Sequence, residues 1–153
     1  MSLNQVDETS LRERNKISFA RMLKHLGRKE FDEFEGYLAE DIFQDWPYLP
    51  IPNMPDTITG RRELRAFIEA GTQPFDPYAY EISQFYDMAD PNMLIVEYSS
   101  NTIYHPTGKP YSNKYLGILR FLDGKIAYWR EYLNPLIIKE SLLGDFDKQI
   151  DDR

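Results

Sequence analysis

Two acidic residues stand beside large aromatic side chains, where a carboxyl group could transfer a proton. Glu131 lies in the stretch AYWREYLNP, and Asp45 lies in FQDWPYLP, next to Trp46 and Tyr48. A carboxyl group enclosed by apolar side chains has a raised pKa, which suits a general acid or base near neutral pH. Two such groups in one cavity would differ in pKa, giving one acid and one base. Glu131 and Asp45 are therefore the candidate catalytic residues, with an ordinary turn-forming role as the alternative for Asp45.

The alternation of side chains around Glu131 leaves two interpretations open. In an extended strand, Trp129, Glu131 and Leu133 point to the same face. If this face borders a cavity, Glu131 is desolvated, and Trp129 and Leu133 can contact a ligand. If the face is solvated, Glu131 forms a cross-strand salt bridge with Arg120 or another base. A period of two does not say which face is inside, so both interpretations remain open.

The turn before this strand bears on the same question. Asp123-Gly124 is the strongest hairpin signal in the chain. With these two residues as the turn, the simplest register places Glu131 opposite Leu116, on the face that carries Arg120. A β-bulge would change this pairing. The register of the final hairpin is therefore left open.

Aromatic residues on other segments are candidate ligand contacts. Tyr98 and Tyr115 lie in segments rich in β-forming residues, and either hydroxyl could hold a ligand carbonyl or a developing oxyanion. Trp46 directly precedes segment 47–55 and Tyr48 lies within it; the four prolines of this segment predict an irregular rim or lid. For any single tyrosine, a place in the core or in an interface is the alternative.

Composition limits the classes of function. The chain has 153 residues and a net charge of −7, which argues against a nucleic-acid-binding surface. Cysteine is absent and only two histidines are present, which excludes thiolate chemistry and a histidine-rich metal site. Neither a glycine-rich phosphate loop nor a zinc-ligand pattern appears, so we expect neither a metal nor an organic cofactor. The absence of a signal peptide and of a long apolar segment predicts a cytoplasmic protein without membrane contact.

The order of the predicted elements indicates an α+β fold. Helices are predicted at about 10–27, 31–38, 61–70 and 136–143, and strands at about 42–46, 80–88, 93–104, 114–122 and 125–133. The first helix would begin with a capping box at Ser10 and Glu13. A curved antiparallel sheet with helices on its concave face leaves a cavity between the layers, which is the usual ligand site. We expect a single domain over 1–153, with its core at about 10–143 and a polar tail at 144–153.

Three stretches resemble one superfamily. DGKIAYWREYLNPL is similar to the closing hairpin of nuclear-transport-factor-two-like proteins, and FQDWPYLP and ITGRRELRAFIEA resemble their first strand and third helix. Within that superfamily the chain resembles the SnoaL-like branch, especially the phenazine-biosynthesis A/B type. The resemblance implies a cone-shaped, cystatin-like fold, a homodimer formed through the sheet, and an inward-facing Glu131 beside Trp129.

Departures from these relatives narrow the function that the resemblance implies. Limonene-epoxide-hydrolase relatives need an Arg and an Asp near the positions of Tyr98 and Ser100, which disfavours epoxide hydrolysis here. Phenazine-biosynthesis proteins carry a His on the third helix where Phe67 stands, so Phe67 is a candidate ligand contact in a more apolar pocket. The resemblance implies a cofactor-independent isomerase, cyclase, condensing or dehydrating enzyme acting on a mostly apolar cyclic metabolite. The alternative is a non-catalytic ligand-binding or carrier module of the same fold.

Overall fold

The computed structural model describes residues 3–142, and the side chains of residues 7–142. Within this range the chain forms four helices and six strands. The helices are α1 (Leu3–Gly27), α2 (Phe31–Glu35), α3 (Arg61–Thr72) and α4 (Pro135–Leu142). The strands are β1 (Leu38–Asp45), β2 (Thr57–Thr59), β3 (Ala79–Asp87), β4 (Met93–Tyr104), β5 (Lys109–Leu122) and β6 (Lys125–Leu133).

The six strands form one curved sheet in the order β2-β1-β6-β5-β4-β3. Strands β3 to β6 are antiparallel neighbours, and β1 joins the sheet parallel to β6. Helices α1, α3 and α4 pack against the sheet, and the predicted α+β fold is confirmed. The short edge strand β2 was not predicted, because three residues directly before Gly60 give too little alternation to recognise.

The core lies between the helices and the sheet, and α1 supplies much of it. Four of its apolar residues are buried: Phe19, Met22, Leu23 and Leu26. Ile17 does not join this group, because it is 49% exposed. Asn15 is buried instead, and its side-chain nitrogen donates to the carbonyl of Pro91 at 3.1 Å. This bond ties α1 to the turn between β3 and β4.

Several predicted boundaries move in the structure. Helix α1 already runs from Leu3, so Ser10 lies inside the helix and the predicted capping box is wrong. A Ser followed by an acidic residue three positions later is equally compatible with an exposed helix interior. Helix α3 passes through Gly71, and the predicted polar tail at 144–153 lies outside the described residues. None of the described helices is long and apolar enough to cross a membrane.

Candidate functional site

A cavity of about 180 Å³ lies between the sheet, α3, α4 and the proline-containing segment after β1. Aromatic and aliphatic side chains form most of its lining. An apolar cavity of about 150 Å³ in another protein accepts benzene, so this cavity has room for a small ring compound. The sequence-predicted site residues that line it are Trp46, Phe67, Tyr115, Trp129, Glu131 and Leu133.

Glu131 faces the cavity because a bulge shifts the register of the final hairpin. Shortly after the turn, one residue of β6 is left without a partner, and Arg120 then pairs with Tyr128. Further along the ladder, Glu131 lies opposite Gly117. The simple register, which paired Glu131 with Leu116 on the face of Arg120, is therefore wrong. Since a shift of one residue moves a side chain to the other face, Arg120 and Glu131 end on opposite sides of the sheet.

The missing side chain at Gly117 makes room beside Glu131. A Cβ atom at this position would lie 3.1 Å from Cε1 of Tyr98 and 3.2 Å from Cγ1 of Val96. The ring of Tyr98 therefore occupies space that a larger residue would need. Through this space Tyr98 reaches the carboxyl group of Glu131.

Two aromatic donors hold the carboxyl group of Glu131. Nε1 of Trp46 donates to Oε1 at 3.1 Å, and the hydroxyl of Tyr98 donates to Oε2. Nε1 of Trp129 donates in turn to the hydroxyl oxygen of Tyr98 at 3.2 Å. These bonds fix the orientation of the carboxyl group, and each of its oxygens keeps a lone pair for a ligand.

The surroundings of Glu131 favour its neutral form more than water does. Burial raises the pKa of Glu131 to about 7, and the hydrogen bonds from Tyr98 and Trp46 oppose this rise. Part of the side-chain surface is accessible, but that surface lies at the cavity wall. Glu131 is the only charged side chain among the described residues that line the cavity. The polar centre of the cavity is therefore a single carboxyl group without a cationic partner.

Asp45 lies outside the cavity, and the prediction that it shares the cavity with Glu131 is wrong. Alternation along β1 directs Gln44 and Trp46 inwards and Asp45 to the other face. There Asp45 accepts three hydrogen bonds from Arg130: from Nε to Oδ1 at 3.0 Å and to Oδ2 at 3.1 Å, and from Nη2 to Oδ2 at 2.8 Å. Asp45 is thus the partner of an ion pair on the outer face of the sheet.

Two predicted ligand contacts also lie outside the cavity lining. Tyr48 is 59% exposed, and its ring packs against Tyr132 with 5.5 Å between centroids. Tyr98 is buried behind Glu131, where it orients the carboxyl group. Tyr115 does line the cavity, but its hydroxyl already bonds with the hydroxyl of Ser100 at 2.7 Å. Neither Tyr98 nor Tyr115 therefore offers an unengaged hydroxyl to a ligand.

Sequence reasoning missed several residues of the cavity. Gln44 is 1% exposed, and its Oε1 has no hydrogen-bond donor among the described residues. Tyr78 and Tyr80 stack on one another with 5.6 Å between centroids and 13° between planes. Gln44 lies two positions before Trp46, so the alternation of side chains along β1 would have identified it as a cavity residue once the inner face of β1 was known. Tyr78 and Tyr80 carried no such signal, because the face of β3 depends on its pairing with β4.

The described side chains contain no cluster of His, Cys, Asp or Glu that could hold a metal ion. The described lining of the cavity contains one carboxylate, that of Glu131, and no histidine. The expectation that the protein works without a metal or organic cofactor stays a prediction.

Two relatives align with more than two thirds of this chain. The uncharacterised protein YesE of Bacillus subtilis (strain 168) is 25% identical over 126 residues, which cover 82% of this chain and 85% of YesE. The uncharacterised PhzA/B-like protein PA3332 of Pseudomonas aeruginosa is 31% identical over 107 residues, which cover 68% of this chain and 76% of PA3332. The predicted likeness to phenazine-biosynthesis A/B-type proteins is therefore confirmed.

Solved structures and a family match identify the fold and the family. A crystal structure of an isomerase candidate from Bacillus subtilis has a TM-score of 0.79 and 24% identity, covering 86% of this chain and 94% of that one. The structure of a phenazine biosynthesis-related protein from Pseudomonas aeruginosa has a TM-score of 0.72 and 21% identity, covering 90% of each chain. The structure of an NTF2-like protein from Burkholderia pseudomallei has a TM-score of 0.71 and 15% identity, covering 84% of this chain and 97% of that one. The predicted nuclear-transport-factor-two-like fold is therefore confirmed. Because residues 19–129 match the SnoaL-like domain, the chain belongs to the SnoaL-like domain family.

Proposed function

We propose that the protein is an enzyme in which Glu131 transfers a proton within a mostly apolar cyclic metabolite bound in the cavity, without a cofactor. One observation carries this proposal. The only charged side chain of the described cavity lining is a carboxyl group that Trp46 and Tyr98 hold in a fixed orientation. A protein that needed this side chain only for stability would gain little, since a buried carboxyl group without a cation is costly.

Proton transfer next to a carbonyl group is the step that best fits this site. Isomerisation, cyclisation, condensation and dehydration of cyclic carbonyl compounds share it. The carboxylate of Glu131 accepts a proton from the carbon, the bonding electrons move towards the carbonyl oxygen, and an enolate forms. The neutral acid then returns the proton to another atom. A pKa of about 7 keeps both forms of Glu131 populated near neutral pH, as this exchange requires.

The charge of the cavity restricts the substrate. No Lys, Arg or His occurs in the described lining, so a phosphate or carboxylate group on the ligand would lack a counter-charge. It would also lie near the charge of Glu131 in surroundings of low dielectric constant. We therefore propose a neutral substrate of about one or two rings.

A homodimer formed through the outer face of the sheet and a cytoplasmic location remain predictions, as does the absence of nucleic-acid binding. Light scattering on the purified chain tests the dimer directly. A mass of one chain across the micromolar range would contradict it.

Deuterium exchange into a cyclic ketone tests the proton transfer before the natural substrate is known. 1-Indanone is incubated with the protein in D2O, and the loss of its α-proton signal is followed by proton NMR. We expect the wild type to accelerate exchange about 100-fold or more over buffer, the usual scale of general base catalysis. Glu131→Gln keeps the shape of the side chain but cannot accept the proton, so its rate should fall to that of buffer.

Glu97→Gln is the matched control, because it makes the same chemical change at an exposed position of β4. It should exchange as fast as the wild type. Fast exchange in Glu131→Gln would contradict the proposed role of Glu131. Binding of the ketone by the wild type without accelerated exchange would favour the ligand-binding or carrier module.

A further inference from the structure

Two phenol groups at the cavity wall lack a hydrogen-bond partner among the described residues. They belong to Tyr78 and Tyr80, whose rings line the cavity. The other tyrosine hydroxyls nearby are engaged: those of Tyr98, Tyr111 and Tyr115 bond to Glu131, Asn113 and Ser100. Since enclosed tyrosine hydroxyls usually have a partner, the two open phenols are suited to a bound ligand.

Tyr80 lies on the side of the cavity where Glu131 is held. Its ring contacts those of Tyr98 and Tyr115, with 6.4 Å between centroids in each case. Tyr98 in turn bonds to Glu131, so one aromatic ring separates Tyr80 from the carboxyl group along this wall. Burial, and then the negative charge of Glu131, raise the pKa of Tyr80 well above its usual value. The phenol is therefore a neutral hydrogen-bond donor within electrostatic reach of the carboxylate.

The ring of Tyr80 is fixed in place by its neighbours. It stacks on Tyr78, and its edge packs closely against Gly27 at the end of α1, where a Cβ atom would lie 3.1 Å from Cδ2 of Tyr80. The backbone nitrogen of Tyr78 donates to the carbonyl of Gly27 at 2.8 Å, which joins the start of β3 to α1. A donor held in this way needs little reorganisation when a ligand oxygen approaches.

On the basis of the proposed function, we infer that the hydroxyl of Tyr80 donates a hydrogen bond to the oxygen of a cyclic ketone or its enol, while Glu131 exchanges a proton with the neighbouring carbon. As that proton leaves, the electrons of the C–H bond form the enolate, and Tyr80 stabilises the charge on its oxygen. The inference names the substrate class as a neutral cyclic ketone. It also moves the oxyanion role from Tyr98 or Tyr115 to a residue whose hydroxyl is open.

A pair of bicyclic probes tests this assignment. 1-Indanone and indane have the same ring skeleton, but only indanone carries an oxygen that can accept a hydrogen bond. Dissociation constants of both are measured by calorimetry for the wild type, Tyr80→Phe and Tyr104→Phe. Tyr80→Phe should weaken indanone binding about 3- to 10-fold and leave indane binding within about twofold, as expected for one neutral hydrogen bond. Tyr104→Phe, which removes a hydroxyl outside the cavity lining, should change neither constant.

Infrared spectroscopy supplies a second readout on the bound ketone. A hydrogen bond weakens the C=O bond, so the carbonyl stretch of bound indanone should lie at lower frequency in the wild type than in Tyr80→Phe. Indane binding by Tyr80→Phe reports that the variant has kept its cavity. An equal loss of affinity for both probes, or an unchanged affinity and carbonyl frequency, would overturn the inference.

The two proposals fail in different ways. Selective loss of indanone binding in Tyr80→Phe, together with normal exchange in Glu131→Gln, would keep the binding role of Tyr80 and overturn the catalytic role of Glu131. Loss of exchange in Glu131→Gln, with normal indanone binding in Tyr80→Phe, would overturn only the role of Tyr80. Failure of the wild type to bind either bicycle would overturn this inference together with the cavity as a site for such rings.

Discussion

Replacing Glu131 by Gln should stabilise the protein at alkaline pH and leave its stability nearly unchanged in acid. The folded protein holds Glu131 in an apolar cavity, where its pKa is about 7, against 4.5 for an ordinary glutamate. The folded state therefore binds this proton more tightly than the unfolded chain. A glutamine side chain at this position would keep the size and polarity of the neutral acid without ionising.

The sign and size of the effect follow from the two pKa values. The stabilisation from the protonated Glu131 is complete below about pH 4.5 and is lost as the pH rises through about 7. Each pKa unit corresponds to about 1.4 kcal/mol, so the loss is about 3 kcal/mol over this range. The free energy of unfolding of Glu131→Gln, relative to the wild type, should rise by about this amount between pH 4.5 and 8.

Urea unfolding, followed by the fluorescence of Trp46 and Trp129, measures this difference at a series of pH values. Other carboxyl groups titrate in both proteins, so the difference between the two curves isolates Glu131. Parallel curves for Glu131→Gln and the wild type would show that Glu131 titrates normally, and would refute the argument from burial.

Three further substitutions test the residues that surround Glu131 and line its cavity. Tyr98→Phe removes a donor to the carboxylate, so carbon-13 NMR should find the pKa of Glu131 raised by about one unit, whereas Tyr104→Phe should not change it. Gln44→Met removes a buried amide oxygen that has no hydrogen-bond donor, so the folded protein should become more stable. Thermal unfolding should show a Tm higher by about 2–4 °C for each kcal/mol of stability gained. Gly117→Ala forces a Cβ against Tyr98, so urea unfolding should show a loss of about 1–3 kcal/mol.

The long, strongly patterned parts of the fold could be predicted from the sequence. The limits of β4 and β6 agree with the prediction, because both are dense in β-forming residues and end at clear turn signals. Asp123 and Gly124 have φ angles of 49° and 80°, as expected for a tight hairpin turn. Helix α3 begins where it was predicted and ends two residues later than predicted. In each case the information is local, so it can be read from neighbouring residues.

The inner face of β1 could not be read in this way. FQDWPYLP contains polar and apolar residues on both faces. Which of its residues face the cavity is decided by the parallel pairing with β6, which sets Gln44 beside Trp129. That pairing joins segments about 85 positions apart. Asp45 was accordingly placed in the cavity, although the structure pairs it with Arg130 on the outer face. A buried Gln is also a weak sequence signal, since Gln is usually exposed.

The orientation of Glu131 depends on a single β-bulge in β6. Without the bulge in β6, the hairpin turn would pair Glu131 with Leu116 and set it on the face of Arg120, where an ordinary salt bridge would hold it ionised. With the bulge, it faces Gly117, and the space that this glycine leaves admits Tyr98. One unpaired residue thus converts a surface ion pair into an enclosed carboxyl group with aromatic donors. The chemistry of the site is therefore set by register, which is why residue types alone left two interpretations open.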